Sequence, residues 1–343
     1  MAENNHILEV KNLRVSYHTY AGEVKAVRGV SFDLKKGQAL AIVGESGCGK
    51  SVTAKSIMGL IKGPQGEIKK DSEILYNGVN ILNYSKKQWQ EYKGGECAII
   101  FQDALASLNP TMRVGKQIME NLMAHKHMDR QTAAKEAVEM LRRVGIPEPE
   151  KRVKQYPHQF SGGMRQRVMI AIAFACDPKL LICDEPTTAL DVTIQSQILD
   201  IIKELQKTHD TSVIMITHDL GVVANIAQEI AVMYSGVIVE KGNSRDIFYH
   251  PKHPYTWALI ESVPRLDLTN KQELASIPGM PPDLLNPPVG CPFSTRCKYC
   301  MQICKEKMPE RTEFENGHVA SCWLHHPMAP KIERLEKEGG SQA

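Results

Sequence analysis

A short segment near residue 50 has glycines, a lysine and a serine at the spacing of a phosphate-binding loop. It reads Gly44-Glu-Ser-Gly-Cys-Gly-Lys50-Ser51. Glycines let backbone N–H groups turn toward an anion, the lysine can reach the outer phosphates of a nucleotide, and the serine hydroxyl can coordinate Mg²⁺. A glycine turn without a ligand is the alternative, but a buried strand is predicted before the loop and a helix after it. The predicted nucleotide contacts in this segment are Gly44, Glu45, Ser46, Gly47, Cys48, Gly49, Lys50, Ser51 and Val52.

Two acidic residues, Asp184 and Glu185, follow the apolar run at 180–183. A buried strand there would place both carboxylates at the carboxyl edge of a parallel sheet, where such sheets bind ligands. We predict that Asp184, with Ser51, holds Mg²⁺ and that Glu185 polarises the attacking water. A strand that merely ends in solvated acids is the alternative, and the loop upstream makes it the weaker one.

The elements that must position these residues alternate between strands and helices. Strands are predicted from apolar patterning at 7–15, 24–34, 39–43, 180–183 and 213–217, and a hairpin at 230–240. Helices are predicted from their periodicity at 51–60, 194–206 and 220–227. This alternation indicates an α/β protein with a mostly parallel sheet covered on both faces.

Two further regions differ in composition from this core. Residues 103–165 show helical periodicity at 114–124 and 132–144 and little strand signal, which predicts an inserted helical subdomain at about 103–178. Beyond residue 248 prolines and then cysteines cluster. We therefore predict a nucleotide-binding domain at 1–248 and a C-terminal cysteine-rich module at 249–343.

Composition narrows the classes of protein that remain. The chain has 343 residues, 42% of them hydrophobic, and a net charge of +3, which argues neither for nor against nucleic acid as a partner. Its longest apolar stretch, at 168–176, suits a buried helix and not a membrane span. The first residues lack the basic and apolar layout of a signal peptide, so we expect the protein in the cytosol, with reduced thiols.

The segment Phe160-Ser161-Gly162-Gly163-Met164 resembles the Leu-Ser-Gly-Gly-Gln signature of ABC-type ATPases. Phe160 and Met164 depart from that pattern, and a lone Ser-Gly-Gly is often only a helix cap. The Ser-Gly-Gly core is intact, and other elements of the family follow the expected order along residues 7 to about 245. The resemblance implies a P-loop NTPase (RecA-like) core with an antiparallel β subdomain and the inserted helical subdomain.

The resemblance also implies roles for four residues outside the loop and the acidic strand. Tyr17 lies where the family stacks an aromatic ring on adenine, and Gln102 matches the glutamine that senses Mg²⁺ and water. Asp191, in Ala189-Leu190-Asp191, matches the loop that crosses the dimer interface, and His218 matches the histidine that contacts the γ-phosphate. In the family, two such subunits face each other head to tail. Ser161, Gly162 and Gly163 would then complete the ATP site of a second subunit.

The C-terminal part of the sequence indicates a subgroup of the ABC-type ATPases. His250-Pro-Lys-His-Pro254-Tyr255-Thr256 resembles the segment that follows the ATPase domain in oligopeptide, dipeptide and nickel importers. Four cysteines, Cys291, Cys297, Cys304 and Cys322, are similar to the pattern that holds a [4Fe–4S] cluster in oligopeptide and dipeptide importer ATPases. Cys300 falls outside that pattern, and Cys297-Lys-Tyr-Cys300 has zinc-knuckle spacing, so zinc and free thiols remain open.

We therefore predict an ATP-hydrolysing subunit of a bacterial ABC importer that powers uptake of oligopeptides or dipeptides. The resemblance implies two transmembrane permease subunits, a second ABC ATPase in a heterodimer and, indirectly, an extracellular substrate-binding protein, with this chain on the cytoplasmic face of the cell membrane. An importer of nickel or another small solute is the alternative within the subgroup. A soluble ABC ATPase acting on nucleic acid or ribosomes is disfavoured because each motif occurs once and no strong basic patch is present.

Overall fold

The computed structural model describes residues 5–188, 190–262 and 277–332. Ala189 of the predicted interface loop lies outside the described residues, as do the parts of the predicted C-terminal module at 263–276 and 333–343. The described residues form two β-sheets, with helices packed around the larger one.

The strands are β1 His6–Thr19, β2 Gly22–Lys35, β3 Ala39–Val43, β4 Gly66–Ile68, β5 Glu73–Tyr76, β6 Val79–Asn80, β7 Cys97–Ile100, β8 Leu180–Asp184, β9 Ser212–Thr217, β10 Glu229–Tyr234, β11 Val237–Asn243, β12 Thr312–Glu313 and β13 Val319–Ala320. The α-helices are α1 Lys50–Ile57, α2 Lys86–Tyr92, α3 Ala104–Ser107, α4 Val114–His125, α5 Arg130–Arg143, α6 Pro149–Arg152, α7 Gly162–Phe174, α8 Val192–His209, α9 Leu220–Val223, α10 Ser244–Tyr249, α11 Pro254–Glu261 and α12 Gln302–Glu306. Short 3₁₀ helices lie at Ile81–Asn83, Pro157–Gln159, Glu315–Gly317 and Trp323–His325.

The smaller sheet is antiparallel and is built around the long strands β1 and β2. Its strand order is β2-β1-β5-β6, with β4 paired to β1. Inward side chains of β1, among them Leu8, Leu13 and Val15, are fully buried. They share one apolar core with Leu40 and Ile42 of β3, so this sheet packs on one face of the larger sheet.

The larger sheet has the order β12-β13-β11-β10-β3-β9-β8-β7, and the five strands from β10 to β7 are parallel. Along β3, Ala41 and Val43 face a second apolar core, opposite Leu40 and Ile42. A strand buried on both faces must be apolar throughout, which is why β3, β8 and β9 are continuous apolar runs in the sequence. The predicted α/β core is confirmed, as is the predicted hairpin, formed by β10 and β11.

The segment between β7 and β8 contains helices α3 to α7 and no strand among its described residues. Helix α7 is buried along much of its length, with Val168, Ile170 and Phe174 fully covered. The apolar stretch at 168–176 is therefore largely a buried helix, as its length predicts.

Two predicted helices end earlier than their periodicity suggests. Helix α1 stops at Ile57 because Gly59 adopts a left-handed φ of 57° and donates to the carbonyl of Ser56, while Leu60 N–H donates to the carbonyl of Lys55. This pair of hydrogen bonds is a Schellman motif, which terminates a helix. Helix α9 ends at Val223 instead of 227, and the chain continues in turns, with the N–H groups of Ile226 and Ala227 both donating to the Val223 carbonyl.

The C-terminal segment is attached to the core at two places. Strand β13 pairs with β11, so β12 and β13 extend the larger sheet. Phe293 packs its ring against Tyr234 of β10 and Tyr255 of α11, with ring centroids 5.3 Å apart in both pairs. The cysteine-rich segment is thus held against β10, the strand that pairs with β3.

Candidate nucleotide site and cysteine cavity

The candidate nucleotide site lies where four neighbouring parallel strands end. Val43 is in register with Thr217, and Asp184 with Ile216, so β3, β9 and β8 end at nearly the same level. The residues that follow these strands meet there because carboxyl ends of parallel strands share one edge of a sheet. This edge brings together the loop after β3, Glu185 after β8, His218 after β9 and Gln102 after β7.

The glycines of the loop are required by its backbone. Gly44 has a φ of 154° and Gly49 a φ of 103°. A Cβ at Gly44 would lie 2.1 Å from the carbonyl oxygen of Met233, and a Cβ at Gly49 would lie 2.4 Å from that of Ala26. Side chains are therefore excluded at both positions, and the loop can fold tightly over the sheet edge. Ser46 and Gly47 lie at its exposed tip, Cys48 is buried, and Val52 packs against the core that lies between the two sheets.

Lys50 lies in the centre of this loop and begins helix α1. The side chain is only 4% exposed, and its Nζ donates to the carbonyl oxygens of Gly44 at 2.8 Å and Glu45 at 3.0 Å. The same Nζ is 3.8 Å from Oε1 of Glu185. The ammonium group is thus fixed between the loop and the acidic strand end, where it can meet an anionic ligand.

Ser51 and Asp184 form a pair of hard oxygen donors. The Ser51 Oγ donates to Oδ1 of Asp184 at 2.8 Å, and Asp184 is buried. Burial raises the pKa of Asp184, an effect that the hydrogen bond from Ser51 opposes. A hydroxyl and a carboxylate converging on one point suit Mg²⁺, which takes oxygen ligands.

Glu185 is the centre of the candidate site. Its Oε2 accepts a hydrogen bond from Nε2 of Gln102 at 3.3 Å and lies 3.3 Å from Nδ1 of His218. Glu185 itself has a left-handed φ of 50°, which is uncommon for a residue with a side chain and is often retained at functional positions. The structure therefore places together the three residues assigned from the sequence to hydrolysis: Glu185, Gln102 and His218.

Sequence reasoning missed three residues at this site. Thr188 donates its hydroxyl to Oε2 of Glu185 at 3.1 Å. Arg296 and Tyr255, both C-terminal, contact Glu45 in the loop. A threonine three residues after the glutamate gave a weak local signal for Thr188, whereas nothing in the spacing of Glu45 and Arg296 indicates that they meet.

Ser161, Gly162 and Gly163 contact a different part of the chain. Ser161 caps helix α7 and accepts a hydrogen bond from the Met164 N–H at 3.4 Å. A Cβ at Gly163 would meet Ile194 of α8 at 2.8 Å. Asp191 caps α8 by accepting from the Ile194 N–H at 2.9 Å, so Asp191 and Gly163 both lie beside Ile194 in the first turn of α8.

Tyr17 lies in the smaller sheet, on β1 opposite Val24 of β2 and Gly66 of β4. The ring is half-buried, and this burial raises the pKa of its hydroxyl. Its neighbours in the structure are these strands, so its predicted stacking on adenine stays a prediction.

The four predicted cluster ligands surround one small cavity of about 10 Å³. Its lining includes Cys291, Cys297, Cys304 and Cys322. Burial raises the pKa of Cys291 to about 12 and that of Cys297 to about 11, and the neighbouring cysteines add to both effects. Within the described residues, however, no three His, Cys, Asp or Glu side chains are arranged closely enough to hold a metal ion. The geometry therefore does not support the predicted [4Fe–4S] cluster, although the thiols share one space.

His253 contributes a second feature to this cavity. The residue is buried, lines the cavity, and accepts the Tyr255 N–H at its Nδ1 at 3.0 Å. Among the residues that the structure describes, its Nε2 has no hydrogen-bond partner. Because Nδ1 is an acceptor, Nε2 carries the proton of the neutral ring, which leaves a buried donor without an acceptor.

Comparisons with known proteins place this arrangement in a family. The model for ABC transporters matches residues 27–188, and the model for the C-terminal region of oligopeptide/dipeptide transporters matches residues 239–304. The oligopeptide transport ATP-binding protein OppD of Bacillus subtilis is 57% identical over 96% of this chain and 92% of its own length. The dipeptide transport ATP-binding protein DppD of Lactococcus lactis is 55% identical over 97% of this chain and 94% of its own length. A solved structure of a dimeric bacterial ABC transporter cassette has a TM-score of 0.62 at 25% identity and covers 69% of this chain and 99% of its own.

The fold and the sheet-edge site thus define an ABC-type ATPase. More narrowly, the chain belongs to the family of oligopeptide and dipeptide transport ATP-binding proteins. ATP and Mg²⁺ are the nucleotide and metal ion typical of this class. Across 5–188, 190–262 and 277–332, no helix has the length and apolar character needed to span a membrane.

Proposed function

We propose that this chain hydrolyses ATP to power an importer of oligopeptides or dipeptides. The observation that carries the proposal is the set of contacts around Glu185, whose carboxylate lies 3.8 Å from Lys50 and 3.3 Å from both Gln102 and His218. A carboxylate between a cation and two polar side chains is suited to bind and polarise a water molecule. The cargo is inferred from the relatives, which are peptide transport proteins.

Each residue of the site has a proposed task. Lys50 would leave the loop carbonyls for the β- and γ-phosphates of ATP, and backbone N–H groups of the loop would surround the β-phosphate. Glu185 would orient the attacking water, with Gln102 and His218 positioned around the γ-phosphate. Ser51 and Asp184, already 2.8 Å apart, fit the oxygen ligands of Mg²⁺, which when bound would neutralise charge on the phosphates.

The signature residues Ser161, Gly162 and Gly163 would act on a second subunit. Gly163 lies against Ile194 of α8, whose N-terminus Asp191 caps, and a solved cassette with this fold is a dimer. We therefore propose a head-to-tail pair in which each ATP lies between the phosphate loop of one subunit and the signature of the other. A related but distinct ATPase is the proposed partner, and Tyr17 would stack on the adenine.

The location proposed for the protein is the cytoplasmic face of the cell membrane, bound to two permease subunits. The helical segment that begins near Gln102 would transmit the state of the nucleotide site to them. An extracellular binding protein would deliver the cargo. We also propose that the nucleotide-binding domain ends near residue 248 and that a C-terminal module follows it.

One experiment tests the transport proposal. The chain is purified from native membranes with its partners, and uptake of labelled dipeptide, labelled tetrapeptide and nickel is compared in cells with and without it. Loss of peptide uptake together with recovery of two permeases supports the proposal. Loss of nickel uptake alone would identify the other member of the subgroup, and association with ribosomes or nucleic acid without permeases would contradict an importer.

We further propose that Cys291, Cys297, Cys304 and Cys322 hold an iron–sulfur cluster. The proposal is supported by the cavity that the four cysteines share and by the buried Nε2–H of His253, which could donate a hydrogen bond to a sulfur atom. In number and type the thiols fit a [4Fe–4S] cluster, but a cavity of about 10 Å³ means that they would have to separate to surround it. Iron and acid-labile sulfide in anaerobically purified protein test this; zinc without iron, or neither metal, would contradict it.

A further inference from the structure

Arg296 joins the cysteine-rich segment to the phosphate loop. It precedes Cys297 in the chain, and its side chain is 3% exposed. An arginine has five N–H donors, and here each one has an acceptor. Nη1 donates to Oε2 of Glu45 at 2.5 Å and to the hydroxyl of Tyr234 at 3.1 Å, while Nη2 donates to Oε1 of Glu45 at 3.0 Å.

The remaining donors of Arg296 fix it to the segment that precedes the cysteines. Nη2 also donates to the carbonyl oxygen of Ile277, and Nε donates to that of Pro278, both at 3.0 Å. A two-pronged pair of this kind is strong and directional because both N–H groups of the fork meet both oxygens of one carboxylate. Since the arginine is buried, this pair is not the weak kind found on exposed surfaces.

Glu45 is the second residue of the phosphate loop, and its backbone is held as well. Its N–H donates to the hydroxyl of buried Tyr255 at 2.9 Å. Its carbonyl oxygen accepts from Nζ of Lys50 at 3.0 Å. C-terminal residues therefore hold both the side chain and the backbone of the residue that helps to orient the phosphate-binding lysine.

We propose that Arg296 is a positioning residue for ATP binding, which acts by neutralising the Glu45 carboxylate beside the phosphate site. An unpaired carboxylate in the loop would repel the phosphates of ATP, and water screens this repulsion poorly at a partly buried position. Folding of the cysteine-rich segment thus sets the charge of the phosphate loop. The inference rests on the proposed use of that loop as the ATP site.

The test measures the KM for ATP, kcat and the melting temperature in the full chain with its partners. Arg296→Gln should raise KM about tenfold and change kcat less, because loss of the charge-assisted Arg296–Glu45 pair weakens ATP binding and not the chemical step. The double variant Glu45→Gln/Arg296→Gln removes the repelling charge as well, so its KM should fall back from the tenfold rise to within about threefold of the parent value. Exposed Arg311→Gln is the matched control and should leave KM unchanged.

The results of these variants distinguish neutralisation of Glu45 by Arg296 from a purely structural role of Arg296. A purely structural role predicts that the double variant raises KM at least as much as Arg296→Gln alone, and that result would overturn the proposal. If Arg296→Gln does not fold, Arg296→Lys, which keeps the charge but loses the two-pronged geometry, should raise KM only about twofold to threefold, and a tenfold rise there would also overturn the proposal. Unchanged nucleotide affinity in Lys50→Ala would instead reject the ATP site itself.

Discussion

The nucleotide site and the cysteine cavity are organised in different ways. At the nucleotide site, side chains from separate segments are in direct contact: Ser51 meets Asp184 at 2.8 Å, and Glu185 meets Gln102 and His218 at 3.3 Å. At the cavity, four thiols face one space without forming a group that could hold a metal ion in the described chain. Strand ends in register arrange the first site before any ligand binds, whereas irregular segments and the short helix α12 arrange the second.

This difference has a consequence for how each site responds to its ligand. The residues around Glu185 are already in contact with one another, so the protein part of this site is formed before ATP binds. Some of these contacts must then be exchanged for contacts with ATP. If the thiols around the cavity hold a cluster, they would gain their metal contacts only when it binds, because metal binding and folding are coupled in such segments. The Arg296–Glu45 pair joins the two regions, so a disturbance at the cavity can reach the phosphate loop.

The largest effect is expected at the centre of the preformed site. Glu185→Gln should keep ATP binding and lower steady-state hydrolysis by about 100-fold to 10,000-fold, since the amide cannot polarise the attacking water. The variant should also accumulate as an ATP-bound dimer, measured by size-exclusion chromatography with ATP and Mg²⁺. Exposed Glu204→Gln is the control. Hydrolysis at the parent rate would remove Glu185 from the role proposed for it.

A substitution in the phosphate loop should weaken the binding of ATP itself. Lys50→Ala deletes the buried ammonium group at the centre of the loop, so the Kd for ATP should rise about tenfold to hundredfold. Binding of a fluorescent ATP analogue measures this directly. Lys36→Ala, at an exposed position between β2 and β3, should bind ATP as the parent does. Equal affinity for the Lys50 variant would mean that the loop is not the phosphate site.

Contacts at the ends of parallel strands can be predicted from the sequence, whereas contacts between irregular segments cannot. The contact of Glu185 with His218 was predictable because each residue follows a strand predicted from the sequence, and parallel strands of one sheet end together. Gln102 was assigned only from the family resemblance, since no strand was predicted where β7 lies. The Glu45–Arg296 pair was not predictable, since 251 positions separate the two residues and no periodic pattern relates a loop to a loop. Helix ends were missed for a local reason, because Gly59 stops α1 while the apolar periodicity continues.

The cavity should distinguish between two cysteines three residues apart. Cys297 lines it, whereas Cys300 does not belong to its lining. If the four lining thiols hold a cluster, Cys297→Ser should lose most of the bound iron and lower the melting temperature, because metal binding stabilises the fold. Cys300→Ser is the matched control and should retain both. Iron loss in the Cys300 variant, with iron kept in the Cys297 variant, would show that the ligand set is different.

The smallest effect should be a gain in stability at the Mg²⁺ site. Burial raises the pKa of Asp184 above its ordinary value of 3.8, so the ionised form is less stable in the folded chain than in the unfolded chain. This cost is absent below the unfolded pKa, grows as the pH rises through the folded pKa, and is complete at neutral pH.

Asp184→Asn removes that charge and keeps an oxygen that can accept the Ser51 hydroxyl. Without nucleotide, the variant should melt about 2 °C higher at pH 7, which corresponds to about 1 kcal/mol, and the gain should shrink as the pH falls toward 4. Exposed Asp200→Asn should change the melting temperature little at either pH. A lower melting temperature for Asp184→Asn would show that this carboxylate stabilises the empty site. A gain together with lost Mg²⁺-dependent hydrolysis would show that the preformed site keeps a destabilising charge for its function.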